Sequence, residues 1–302
     1  MMHHDETAAL LPAAHQSSKR DNCCVRLIRI FPLVTSMLLA MFFYVAYFTF
    51  HLLHFLNLPR TDSRFYWGLF QTICYNALFC LFFISLILCW LVHPGSIPDS
   101  PPWMWPPLDK ETQSQLPPRL EMKSQSENRY CVICQRWKPD RAHHCRACGV
   151  CVLKMDHHCP WVNNCVGYRN YKYFYLSVWY AQWGLSFQCA TSIESLLRLL
   201  KDTQSQFISV FAAYCNVCLA GLGAFLLGLL LCFHTFLITR NSTTIEWCEM
   251  TLRKQNQLPN YNLGVCRNWK DTLGPNILVW VIPWNFNRGT GLSFETKEEP
   301  VS

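Results

Sequence analysis

Charge is scarce in this chain: Lys, Arg, Asp and Glu together make up 15% of its 302 residues, while 51% are hydrophobic. The scarcity is localised. Leu33–Leu53, Leu69–Val92, Tyr173–Ile193 and Phe207–Thr239 contain none of the four charged residue types. A helix needs about 20 mostly apolar residues to cross a bilayer, so each block is long enough, and four such blocks argue against a soluble globular chain. The fourth exceeds what a span needs, and its first part is expected to be an interfacial or extramembrane turn. The first block is not expected to act as a cleavable signal, because it begins beyond residue 30 with no small-residue cleavage site after a short apolar stretch. Beyond two cysteine knuckles the chain shows no internal repeat.

The few charges orient the spans. Lys19, Arg20, Arg26 and Arg29 precede the first block, ten Lys and Arg from Lys110 to Arg169 lie between the second and third, and Arg240, Arg253, Lys254, Arg267 and Lys270 follow the fourth. The other two connections hold only Arg60 and Arg64, and Arg198 and Lys201. Positive loops stay on the cytosolic side, which places both termini and the long central connection there. The net charge of +7 is then a topological and membrane-surface signal, and no nucleic-acid partner is expected. The chain divides into an N-terminal cytosolic segment (1–31), spans one and two (32–93), a proline-rich connector (94–128), a cysteine-rich domain (129–171), spans three and four (172–239) and a cytosolic tail (240–302). Residues 1–20 are polar and expected to be disordered. Eight of 17 prolines fall between Pro94 and Pro118, which reads as an extended connector with Trp103 and Trp105 at the membrane interface. Asn241-Ser242-Thr243 matches a glycosylation acceptor but falls on the cytosolic side, so it is read as unused.

What the chain has in abundance is soft metal ligands. Seven of 18 cysteines and four of 11 histidines lie between Cys131 and Cys165. Two Cys-x2-Cys knuckles with nearby His and Cys is the spacing by which thiolate and imidazole surround zinc, and eleven candidates exceed the eight that two closed sites require. A disulfide-stapled module would need an oxidising compartment, whereas this segment faces the reducing cytosol. A domain this small needs its metal to fold.

The surplus centres on Asp156-His157-His158-Cys159. In an extended segment alternate side chains share a face, so His157 and Cys159 would point together and His158 the other way, towards a metal. A nearby imidazole can generate the thiolate that makes cysteine a nucleophile. Asp156 would need a turn to reach His157 and hold its tautomer. Spacing alone leaves open that all of these are zinc ligands or their supports.

The run Cys131-x2-Cys134-x8-His143-His144-Cys145-x2-Cys148-x2-Cys151-x4-Asp156-His157-His158-Cys159-Pro160-Trp161-x2-Asn164-Cys165-x4-Asn170-x3-Phe174 resembles the DHHC cysteine-rich domain of the protein S-acyltransferases. The four spans, the position of this domain between spans two and three, and Thr243-Thr244-Ile245-Glu246 after the fourth extend the resemblance over nearly the whole chain. Asn268-Trp269 is similar to the family's C-terminal motif, less specifically. His93-Pro94-Gly95 departs from the family's usual Asp-Pro-Gly.

The resemblance implies a mainly α, polytopic membrane protein with four transmembrane helices and a small two-zinc domain between helices two and three. Cys131, Cys134, His144 and Cys151 would hold one structural zinc, and Cys145, Cys148, His158 and Cys165 the other. Cys159 would be the acylated nucleophile, His157 its general base and Asp156 the orienter of His157, while His143 is expected at the surface or beside a ligand. The activity implied is transfer of a long fatty acyl group, palmitoyl first, from acyl-CoA to cysteines of membrane-associated proteins that present them at the cytosolic membrane surface. An endomembrane location is expected, the Golgi ahead of the plasma membrane. For the CoA phosphates the candidates are Lys138 and Arg141, then Arg136 and Lys154; anionic lipid head groups are the competing partners. For the acyl chain they are Trp161 and Phe174 at the mouth of a helix-lined tunnel, with Phe43 and Gly184 at its closed end, where ordinary helix–helix contact is the competing reading. Cys23 and Cys24 could themselves be acylated. Two rival readings are a membrane-anchored cross-brace zinc module that recruits another enzyme, and a metal transporter. The first leaves His157 and Cys159 unexplained, and the second calls for ionisable groups inside the spans, where only His51, His54, His93 and His234, near span ends, are candidates.

Overall fold

The computed structural model describes residues 23–104, 129–252, 259–285 and 289–297. The expectations for residues 1–20, Trp105 and most of the proline-rich connector lie outside these. Among the described residues the elements are α1 (Cys23–Tyr47), a π-helical turn (Phe48–Leu52), α2 (Leu53–Leu56), α3 (Ser63–Leu91), six short strands, α4 (Tyr171–Lys201), α5 (Phe207–Arg240), α6 (Thr244–Leu252) and α7 (Val265–Leu273). The protein is mainly helical.

Among the described residues three stretches are long and apolar enough to cross a membrane: Leu27–Leu56, Ser63–Leu91 and Phe207–Arg240. The last is one continuous helix of 34 residues. The third expected span is also helical, 31 residues over Tyr171–Lys201, but it is less apolar because it carries Gln182, Gln188, Thr191, Ser192 and Ser195 along with its charged ends.

The chain falls into two compact units. The first is made of Leu33–Leu86 and Tyr175–His234, and its regular elements are all helices. Several of its interior polar groups pair with one another, as an apolar setting favours. Gln188 Nε2 donates to Phe43 O (3.2 Å) and Asn216 Oδ1 (2.7 Å), while its Oε1 accepts from Tyr75 (2.8 Å). His51, in the π-helical turn, contacts Ser195 Oγ (2.8 Å) and Gln71 Oε1 (2.6 Å). The wider turn lets an extra residue face inward.

The second unit contains Ile87–Phe174 and the chain from Thr235 onward. Its centre is three two-stranded antiparallel hairpins: β1 (Tyr130–Cys131) with β2 (Arg136–Trp137), β3 (His143–Cys145) with β4 (Val150–Val152), and β5 (His157–Cys159) with β6 (Asn164–Val166). The hairpin turns contain Gln135 (φ 51°), Gly149 (φ 71°) and Asn163 (φ 46°), all left-handed. Two small clusters fill the space between hairpins, one around Ile97, Trp103, Trp137 and Leu153, the other around Val152 and Met155. Trp103 is therefore buried against the cysteine-rich domain, not at a membrane interface: Trp137 N also donates to its carbonyl at 2.9 Å.

The connection from α3 is stapled to this domain. Leu153 N donates to Gly95 O (3.0 Å) and Arg169 N to Pro94 O (3.1 Å). His93 Nδ1 accepts the Gly95 N–H at 3.1 Å, the bond of an Asx-type turn. A neutral imidazole suffices for that bond, and burial, followed by the nearby Arg169 charge, holds the His93 pKa below its ordinary value. The turn survives the departure from Asp because an acceptor is retained.

Candidate functional site

Two clusters of donor atoms form where hairpins meet. Cys131, Cys134, His144 and Cys151 make one set, and Cys145, Cys148, His158 and Cys165 the other, the donors of each lying within 4.8 Å of one another. In both, the knuckle comes from one hairpin and the His–Cys pair from directly opposed positions of the next, His144 opposite Cys151 and His158 opposite Cys165. A tetrahedral zinc with Zn–S about 2.3 Å and Zn–N about 2.1 Å has S···N edges of about 3.6 Å. His144 Nδ1 lies 3.5, 3.2 and 3.8 Å from Cys131, Cys134 and Cys151 Sγ. His158 Nδ1 lies 3.7, 3.4 and 3.6 Å from Cys145, Cys148 and Cys165 Sγ. Each set therefore fits one zinc by distance and by donor chemistry, and all its cysteines are free thiols.

The second set is the first displaced by 14 residues at every ligand. A third copy begins at His157-His158-Cys159, which repeats His143-His144-Cys145, and there the repeat breaks: where Cys134 and Cys148 stand in the first two copies, the third has Val162. Cys159 thus occupies a ligand position without a ligand set.

Strand β5 turns His158 into the metal cluster and the alternate residues to the other face, where His157 hydrogen-bonds the Cys159 thiol. Asp156 Oδ2 accepts from His157 Nδ1 at 2.6 Å. The carboxylate is fully buried and also accepts the Thr244 N–H (2.9 Å) and hydroxyl (2.8 Å). Burial works against a charged imidazole, yet the hydrogen bonds and charges of Asp156 and Cys159 outweigh it and push His157 up to about 9. Phe174 is buried with its ring edge-on to His157, centroids 5.0 Å apart. The arrangement can hold a proton on His157 beside the Cys159 sulfur.

Thr244 comes from α6, 88 residues along the chain from Asp156, and is delivered by a reciprocal capping box. Glu246 Oε2 accepts the Thr243 N–H (2.9 Å) and Thr243 Oγ1 accepts the Glu246 N–H (3.2 Å). Arg141 clamps Glu246 through two bonds of 2.7 and 2.8 Å, donates to Asn241 O (2.7 Å), and lies over the Tyr261 ring. Arg141 is 1% exposed with its donors engaged, which corrects its assignment to CoA phosphate. Lys154 is likewise committed to Asn241 Oδ1 (3.0 Å), burial pushes its pKa down to about 7, and Arg136 pairs with Asp99. The Asn241 amide, buried and also donating to Tyr261 O (3.0 Å), has no room for a glycan.

Of the remaining expected residues, Lys138 is partly exposed in the cysteine-rich domain and Trp161 is exposed. Phe43 is buried in the helical unit, and no atom lies within 4 Å of where a Gly184 Cβ would stand. His143 is half-buried in β3, not at the surface, and burial, with the charges of Arg129, Lys138 and Arg141, pushes it down to about 3. Asn164 and Asn170 emerge as supports: Asn164 Nδ2 reaches Cys89, Trp90 and Val92 carbonyls (3.0–3.2 Å) and Asn170 Nδ2 reaches those of Cys89, Val92 and Cys165, capping the end of α3. Unpaired helix-end carbonyls seek such donors.

Replacing Thr244 by Val should remove one hydrogen bond to a charged carboxylate, about 1.5–3 kcal/mol, and so slow acyl-enzyme formation roughly 10- to 100-fold while zinc content is unchanged. Single-turnover labelling with acyl-CoA measures it; an unchanged rate would mean that Thr244 does not hold Asp156 for the reaction.

A family model described as DHHC palmitoyltransferase matches residues 124–251. The chain is 36% identical over 248 residues to probable protein S-acyltransferase 15 of Arabidopsis thaliana, covering 77% of this chain and 91% of that protein. It is 38% identical over 173 residues to palmitoyltransferase ZDHHC2 of Mus musculus (56% of this chain, 46% of that one). It is 38% identical over 176 residues to palmitoyltransferase ZDHHC20 of Homo sapiens (56% and 47%). The chain thus spans about half the length of the two animal relatives and nine-tenths of the plant one. Identity maintained over nearly the full plant protein, with the family match enclosing both metal sets and the Asp156–His157–Cys159 line, means that this chain belongs to the DHHC palmitoyltransferase family.

Proposed function

We propose that the chain is a membrane-embedded protein S-acyltransferase that moves a long acyl group, palmitoyl first, from acyl-CoA to protein cysteines by way of Cys159. The observation that carries this reading is the line Thr244–Asp156–His157–Cys159, in which a buried carboxylate fixes one ring nitrogen of His157 and the thiol engages the same ring. The Cys159 proton passes to His157, leaving a thiolate that attacks the thioester carbonyl carbon. The bond to the CoA sulfur breaks, and the departing thiolate takes the proton from His157 as free CoA. In the second step a substrate thiol gives its proton to His157 and attacks the Cys159 thioester, which restores the Cys159 thiolate. Asp156 stabilises the imidazolium in both steps.

The two metal sets would each hold a structural zinc, which supplies rigidity to the hairpins and takes no part in the transfer. With Arg141 committed elsewhere, we assign the CoA phosphates to Lys138. For the acyl chain we keep Trp161 and Phe174 and, in the helical unit, Phe43 and Gly184, with open space where a Gly184 side chain would stand. We also propose that α4 completes a four-span topology with both termini cytosolic, in the Golgi or another endomembrane. At about 1.5 Å per residue its 31 residues exceed the roughly 30 Å of a hydrocarbon core, and its buried Gln188 is fully paired.

Purified protein incubated with palmitoyl-CoA should acquire a hydroxylamine-sensitive adduct mapping to the peptide that contains Cys159. No adduct, or one confined to another cysteine, refutes the reading.

A further inference from the structure

Downstream of α7 the chain forms an apolar bracket that the reaction does not use. Ile277, Leu278, Val281, Ile282 and Trp284 are 66%, 77%, 49%, 49% and 64% exposed, and no charged residue occurs between 275 and 285. So many large apolar side chains exposed together mark an interaction surface. Their exposure does not come from a loose loop. Lys172, buried at the start of α4, donates its ammonium to Leu273 O (2.8 Å), Val279 O (2.9 Å) and Trp284 O (2.9 Å), tying both ends and the middle of the bracket to one point. Trp280 Nε1 closes the base on Gly274 O (2.8 Å), and its ring stacks on Trp269.

The position of the bracket identifies its partner. Asn268, buried in α7, donates to Thr239 O at 2.8 Å, in the last turn of the membrane-length helix α5. An element fixed to the last turn of a spanning helix stands where hydrocarbon gives way to head groups. Tryptophan beside uncharged aliphatic residues is the composition that partitions into this layer. A docking face for a soluble protein would carry a polar rim with charge, which this stretch lacks.

We propose that residues 277–284 are a membrane-docking bracket that inserts into the cytosolic interface of the bilayer. The bracket is held by Lys172, two residues before the Phe174 ring that packs on His157, so its insertion would also set the height of the reacting thiol at the membrane surface. This goes beyond acyl transfer itself and does not depend on the roles assigned to Cys159 or His157.

The test uses the full chain in phosphatidylcholine nanodiscs, with a diazirine-bearing amino acid in place of Leu278 and, separately, of Glu295, an exposed residue paired with Arg267. On photolysis the Leu278 probe should give a phosphatidylcholine adduct by mass spectrometry, severalfold more abundant than the Glu295 probe gives. Capture of a second copy of the chain at Leu278 would overturn the proposal in favour of a self-association surface. Reaction with water alone, at the level of the Glu295 probe, would overturn it outright.

Discussion

Changing Cys159 to Ser should abolish the acyl-enzyme, a fall of at least about 10³-fold in labelling, with two zinc ions per chain retained. Serine is slightly smaller than cysteine and can keep the hydrogen bond to His157, so the buried strand end is not disrupted. What it loses is reactivity, because a hydroxyl is hardly ionised under conditions where a thiol readily gives thiolate. Cys159 belongs to neither metal set, which is why zinc should stay. His157→Ala should cost nearly as much, leaving the thiol without a proton acceptor. Asp156→Asn should behave similarly for a geometric reason: the carboxylate accepts from His157 and twice from Thr244, and an amide would turn an NH2 towards donors. Zinc content by elemental analysis and labelling with acyl-CoA form the paired measurement. Normal labelling in Cys159→Ser would remove Cys159 as nucleophile, while loss of zinc would make it a ligand.

The facing of the side chains around Cys159 was largely legible in the sequence, because it depends on local periodicity. Alternation along a strand is enough to send His157 and Cys159 to one face and His158 to the other. Spacing gave only the existence of two knuckles, and the family resemblance implied the two ligand sets that cluster here. The 14-residue displacement is present in the sequence as two His-His-Cys runs, but only the pairing of the hairpins reveals it as a repeat with an unfilled third copy. What stayed hidden depends on contacts between distant residues. Arg141 reads as a surface cation until Glu246, 105 residues away, is seen to hold it in a buried pair. Thr244 is an anonymous hydroxyl until its capping box is folded against Asp156. Lys172 reads as an ordinary charge at a helix start, and its three carbonyl partners lie a hundred residues later. The third span is the reverse case. Its charge-free sequence suggested an apolar helix, but its glutamines, threonine and serines are spent on pairing inside the helical unit.

Changing Cys148 to Ser should unfold the cysteine-rich domain, lower bound zinc from two ions per chain to one or none, and remove all acyl transfer. Cys148 is fully buried, and its sulfur lies 3.4 Å from both His158 Nδ1 and Cys165 Sγ, the two residues that oppose each other across β5–β6. Without it, that hairpin loses the centre that fixes Cys159 and Asn164 at its end. The energies decide the outcome. A structural zinc contributes on the order of 10–16 kcal/mol to the folding of a small domain, whereas a whole domain is stable by only about 5–15 kcal/mol. The two small apolar clusters between the hairpins are too limited to make up such a loss. Cys134→Ser should also be severe, through the first set, since His144 of that set and Cys145 of the other are neighbours on β3 and collapse of one site strains its companion. Elemental analysis should find two zinc ions in the unaltered chain, and protease resistance of residues 129–171 should fall in either variant. One ion or none in the unaltered chain would rule out the two-set scheme. Full zinc with normal protease resistance in Cys148→Ser would show that Cys148 is a buried thiol and not a ligand.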